Sequence, residues 1–343
     1  MWKVVATSGP GGRAWNQVAY DGRALVAGGA SGGGAYQNDF WAFEKNVWVR
    51  HIAYSPTTEP VSREHQAFVH CPKDGKSYWF NGHTGTSANN WSTWPQRKKI
   101  WRVSGNAWED TGKVIYQPEL GPGEWAGNPM KMSAGTVWCP PLDGFLIAGG
   151  GNWNTRATYL LRHSDLAAQK LKTVGEPTTG MRFNVNNQMQ WVAEIEKAAL
   201  FGGHPSSSGG KTLNDLKLFD PHTLKWITQP TTNAPPGRAS AALVHRPGKL
   251  AVYGGTYQET HQSPAIRLKD FWELDLATWT WTRLEDAPHD MWFHGGVWDG
   301  SRYLFFAGFS SAPGGSANTL AYTPTGNVLI SVPGTLSVEV VDG

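Results

Sequence analysis

The chain has 343 residues, of which 17% are charged, and Lys+Arg exceed Asp+Glu by only 30 to 27. Nineteen tryptophans and an aromatic share of 12% exclude a disordered chain, which has too little apolar surface to bury. The net charge of +3, with no basic block beyond Arg97-Lys98-Lys99, excludes nucleic acid as the default partner.

No stretch reaches the ~18 consecutive apolar residues of a membrane helix, so no membrane insertion is expected. Residues 1–7 lack the apolar core of a signal peptide. The expected location is therefore cytoplasmic or within an assembled particle. Two cysteines, Cys71 and Cys139, are too few for a disulfide framework or an all-cysteine zinc site. They stand in equivalent turns, each before a proline, and read as reduced structural thiols.

An apolar strand ending in a glycine pair recurs along the chain. In order the copies are Ala24–Gly29, the degenerate Tyr78-Trp79-Phe80-Asn81-Gly82, Phe145–Gly150, Ala199–Gly203, Ala251–Gly255 and the degenerate Leu304–Gly308. The pairs begin at 28, 81, 149, 202, 254 and 307, so the spacings are 53, 68, 53, 52 and 53. The long interval holds an insertion-like stretch over 87–99. Such a period marks a repeat architecture.

Each copy continues in one order. A polar, Gly-rich loop follows the pair, then a strand such as Asn38-Asp39-Phe40-Trp41, Asn214-Asp215-Leu216 or Lys269-Asp270-Phe271-Trp272. A strand opening with tryptophan comes next, at Trp48, Trp108, Trp226 and Trp281. Asp-Gly turns at 21, 74 and 299 precede the glycine-pair strands and signal hairpins. Each copy therefore reads as four short antiparallel strands. Six such sheets pack most economically as a ring, which leaves only short, protected edges. The fold class is all-β, a six-bladed β-propeller of four-stranded antiparallel blades. Most tryptophans are expected to fill the wedges between blades, with the indole N–H held by a backbone carbonyl.

The glycine pair, the Asn-Asp-Leu/Phe strand and the spaced tryptophan resemble the kelch repeat. The resemblance implies a kelch propeller over 1–334, with 335–343 as a C-terminal strand or tail. Blade 3 has Leu171, and blade 6 has Val328, where tryptophan is expected. Three segments compete to close the last blade: 2–6, 327–332 and 335–341. We place closure by the N-terminal strand first.

The loops entering the innermost strands and those after the glycine pairs share the face around the channel mouth, where ligands are expected. The candidate ligand-binding residues are Arg13, Arg63, Arg182 and Arg238, with Trp15, Trp125, Trp153 and Trp292. Arginine forks suit carboxylate, sulfate or phosphate, but Pro-x-x-Arg is ordinary in kelch repeats, so a structural role stays open. Arginines grip acidic peptides in BTB–kelch adaptors and are expected to meet anionic ligands in the sialate mutarotases.

Glu64, His65 and Glu124 are the candidate acid–base residues. Glu64 and His65 are adjacent on a strand and so point to opposite faces. His83 and His204 follow their glycine pairs and are the candidate metal ligands, although no zinc or nitrile-specifier iron motif occurs. No cofactor is expected. The first reading is a recognition module for a protein partner or an anionic or carbohydrate ligand. The alternatives are an enzyme on an anionic sugar, similar to a sialate mutarotase, and a structural component of a multi-protein assembly such as a virion.

Overall fold

A strand covered on both faces reads as a continuous apolar run rather than an alternation. Ala24–Ala27, Gly144–Ala148, Lys249–Tyr253 and Tyr303–Phe306 are such runs, buried along nearly their whole length. Their two faces serve different neighbours. Leu250 and Val252 join one hydrophobic cluster, while Ala251 and Tyr253 join the next. In a computed structural model, residues 1–14, 17–31, 35–55, 60, 64–83, 99–115, 135–148, 157–175, 189–203, 210–260 and 263–325 are described.

These residues form six four-stranded antiparallel sheets. Blade 1 comprises Gln17–Tyr20, Ala24–Ala27, Phe40–Glu44 and Val47–Ile52. Blade 2 comprises Glu64–Cys71, Lys76–His83, Lys99–Ser104 and Ala107–Val114. Blade 3 runs from Gly135–Cys139 and Gly144–Ala148 to Tyr159–Arg162 and Ala168–Lys170. Blade 4 runs from Gln190–Val192 and Lys197–Gly203 to Leu213–Asp220 and Lys225–Gln229. Blade 5 follows with Ala242–Arg246, Lys249–Tyr253, Phe271–Asp275 and Thr280–Arg283. Blade 6 has Gly295–Trp298, Tyr303–Phe306 and Thr319–Tyr322, and its outermost strand is Trp2–Ala6.

Six hydrophobic clusters fill the six seams, and the last joins blade 6 to blade 1 through Val26, Trp48, Leu304 and Phe306. The ring is closed. The expected six-bladed, all-β arrangement of four-stranded sheets is the one observed.

The outer-strand tryptophans each reach back to the preceding blade. The Trp48 indole donates to Thr319 Oγ1 at 2.7 Å, Trp226 to Thr158 Oγ1 at 2.8 Å and Trp281 to Thr231 Oγ1 at 3.2 Å. Trp108 reaches the Asn38 carbonyl at 3.3 Å, and Trp2 that of Glu285 at 2.8 Å. Threonine hydroxyls thus take three of the five indoles for which carbonyls were expected. The tryptophan of blade 6 is Trp2; residues 326–343, including Val328, lie outside the described residues. In blade 3 the position in this register is Ala168, opposite Leu161 and packed against the seam with blade 2, whereas Leu171, expected there, is buried in the seam with blade 4.

Trp226→Phe is expected to lower stability by about 1–2 kcal/mol, because it leaves the Thr158 hydroxyl, 1% exposed, without its donor. Urea unfolding of Trp226→Phe, Thr158→Val and the double variant checks this, with the double variant less destabilised than the two singles added together.

Candidate functional site

In blades 1, 5 and 6 the loop leading into the inner strand meets the loop after the glycine pair of the same blade. Arg13 and Ala14 pair with Ser31 and Ala30, Ala239 bridges to Thr256, and Trp292 bridges to Phe309. The glycines allow the next blade to come close. Gly202 and Gly254 have φ of +72° and +62°, and a Cβ on either would lie 2.5 Å from the carbonyl oxygen of Arg238 or Met291 in the next blade. The neighbouring Gly203 and Gly255 amides donate to those same carbonyls.

Arg13 and Arg238 are placed alike, and both are buried, at 4% and 1% exposure. Arg13 Nη1 and Nη2 donate to the two Asp39 carboxylate oxygens at 2.6 and 2.9 Å, and the remaining N–H groups go to the Gly28 and Pro10 carbonyls. Arg238 forks onto Asp270 at 3.0 and 2.7 Å and reaches the Gly254 and Pro236 carbonyls. The Trp41 and Trp272 indoles donate to the same aspartates, each at 2.6 Å. Burial raises the Asp270 pKa, but the Arg238 guanidinium and the Trp272 indole outweigh it and hold the carboxyl below its usual range. A ligand at the mouth would reach neither arginine without opening these pairs, so both brace their blades instead of facing a ligand.

Blade 6 lacks this brace. Its equivalent positions carry Met291, fully buried, and Asn318, whose Nδ2 lies 3.2 Å from His289 Nε2. A polar cluster opens in its place. Asp290 accepts hydrogen bonds from the Ser310 hydroxyl at 3.1 Å, the Ser311 hydroxyl at 2.6 Å and the Ser311 amide at 2.8 Å. Burial pushes the Asp290 carboxyl up, but these bonds more than offset it, and its pKa is lowered. His289 Nδ1 is 3.2 Å from Ser310 Oγ.

Beside the cluster, the exposed Arg267 guanidinium stacks 4.2 Å from the centroid of the Trp292 ring and donates to Ser311 Oγ at 2.9 Å. Phe309 and Phe293 adjoin it, both half-buried. Phe293 sits at φ +56°, a region that bulky side chains rarely occupy.

Of the other candidates, Arg63, Arg182, Trp15, Trp125, Trp153, Glu124 and His204 lie outside the described residues. Glu64, His65 and His83 lie on the strands of blade 2, with their side chains outside the described set. Trp292 is the expected ligand residue that the structure places in an open cluster. Arg267 was not anticipated, because it belongs to a short hairpin, Thr256–Tyr257 with Ile266–Arg267, rather than to a repeated position. The cue in the sequence was the paired change of Arg/Asp to Met291/Asn318 in the last repeat.

Residues 186–335 match the sequence profile of the KLHDC2/KLHL20/DRC7 kelch-repeats domain. The chain is 30% identical over 175 residues to acyl-CoA-binding domain-containing protein 5 of Arabidopsis thaliana, covering 48% of this chain and 25% of the relative. Protein 4 of the same name and organism matches at 30% over 175 residues, covering 48% and 24%. The chain thus spans about a quarter of the length of these relatives. Residues 186–335 thus carry a kelch-repeat domain, and the glycine pairs, the arginine–aspartate braces and the seam tryptophans belong to a six-bladed β-propeller.

Proposed function

We propose that the propeller is a recognition module that binds a protein partner at the mouth of blades 5 and 6, by a segment presenting a carboxylate beside an apolar or flat side chain. The observation that carries this reading is Arg267 stacked on Trp292. The ring holds one side of the exposed guanidinium, and arginine forks match carboxylates bidentately. Tryptophan and arginine are also the residues most often found to dominate interface energies. The Asp290 contacts favour recognition over hydrolysis. Its carboxylate receives the serine hydroxyls, whereas a nucleophilic triad needs the acid on the imidazole and the imidazole on the serine.

A random-peptide selection on the immobilised chain tests the proposal. Acidic peptides with a neighbouring apolar residue are expected to be enriched. Their affinity is expected to fall about 30-fold or more in Arg267→Glu, the range of a hot-spot loss. Binding that is indifferent to Arg267 and Trp292 would overturn the reading.

A further inference from the structure

On the face opposite the loops, the inner hairpin turn of blade 2 meets the outer turn of blade 3. Cys71 ends the Glu64–Cys71 strand, Asp74 sits in the turn that follows, and His163 follows the Tyr159–Arg162 strand of blade 3. One donor atom from each of these three side chains lies within 4.8 Å of the other two, and among the described residues no other such trio of His, Cys, Asp or Glu is this close. We propose that Cys71, Asp74 and His163 form a three-ligand site for a zinc-class divalent cation that ties blade 2 to blade 3.

The chemistry of the donors suits such an ion. One thiolate, one carboxylate and one neutral imidazole balance a dication, so the occupied site is uncharged at the edge of the core. Sulfur with nitrogen favours zinc or cobalt over magnesium or calcium. Zinc bonds of about 2.0–2.3 Å need donors roughly 3.3–3.8 Å apart, a contraction of order 1 Å from the widest separation here. His163 Nε2 and Asp74 Oδ2 are already 3.1 Å apart.

The surroundings orient the ligands. The Tyr78 hydroxyl donates to Asp74 Oδ2 at 2.6 Å and the Lys76 amide to Asp74 Oδ1 at 3.0 Å. The His163 amide is held by the Asp143 carbonyl, and Lys73 bonds the Asp143 carboxylate at 2.7 Å across the same seam. Trp138 and Tyr78 present their rings to His163. Cys71 is fully buried, while the His163 and Asp74 side chains are 17% and 23% exposed, which leaves a path from solvent. Burial holds the Cys71 thiol up at about 11, so binding displaces its proton to the solvent. Cys139, the equivalent residue of blade 3, packs in an apolar cluster with Leu146, Leu200 and Trp226.

The test is titration of the full chain, first stripped by a chelator, with Co²⁺ and then Zn²⁺. The expected result is a near-ultraviolet thiolate-to-cobalt absorption band saturating at one equivalent, displaced by zinc. It disappears in Cys71→Ser, weakens at least tenfold in affinity in His163→Gln and persists in Cys139→Ser. No thiolate band at stoichiometric cobalt, or one that survives Cys71→Ser and His163→Gln, would overturn the site. His163 lies on a partly exposed turn, so the His163→Gln and Cys139→Ser pair decides the matter even if Cys71→Ser does not fold.

Discussion

Arg238→Met is expected to destabilise the fold by about 3–5 kcal/mol, the cost of leaving a buried carboxylate without its partner. Asp270 is buried and its pKa is lowered chiefly by that guanidinium, against the upward push of burial. Asp270→Asn alone strands the arginine instead. The double variant Arg238→Met/Asp270→Asn is expected to recover much of either loss, because it reproduces the Met291 and Asn318 pair with which blade 6 is built. An asparagine carbonyl still accepts the Trp272 indole. Urea unfolding of the four proteins forms a double-mutant cycle. Strictly additive losses would mean that the pair does not act as a unit.

Acidification from pH 6.5 to 4.5 is expected to cost the fold about 2.5 kcal/mol through His294 alone. This imidazole is fully buried, and Tyr253 and Phe305 pack against it. Burial, reinforced by the nearby His289, pushes its pKa down to about 3. In the unfolded chain the value returns to about 6.5. Between the two the unfolded state holds the extra proton, so stability rises with pH across that window and is lost on acidification. Burial also pushes His70 and His245 down, which adds to the same slope. His294→Gln is expected to remove its share of about 1.4 kcal/mol per pH unit. Denaturation curves over pH 4.5–7.5 measure it, and an unchanged slope would show that His294 is not held neutral.

The ring was legible because glycine is nearly compulsory at one point of every blade. At Gly202 and Gly254 the backbone turns to positive φ and the next blade's carbonyl approaches within contact of a would-be Cβ. Where the pair is degenerate, Asn81 and Ala307 keep φ of +61° and +58°, so the conformation outlasts the residue type. The partner of the arginines was not legible, since Asp39 and Asp270 stand 26 and 32 residues beyond them and a local motif cannot show such a pairing. The choice among closing strands was open for a similar reason, as an outer-strand pattern occurs at both ends of the chain. In the structure Trp2 packs against Tyr253, Phe271, Phe305 and Tyr322, contacts that exist only once the ring has formed. Arg267 escaped notice because it lies on a hairpin that interrupts the repeat rather than follows it.

Arg13 and Arg238 brace their blades, whereas Arg267 is the arginine proposed to meet a partner. The direct test measures peptide affinity and melting temperature together in Arg267→Glu and in Arg238→Met/Asp270→Asn, using one selected acidic peptide. Arg267→Glu is predicted to lose at least about 30-fold in affinity with its melting temperature nearly unchanged, while the double variant keeps its affinity and shifts in stability. The reverse pattern, with binding lost at Arg238 and retained at Arg267, would contradict the account.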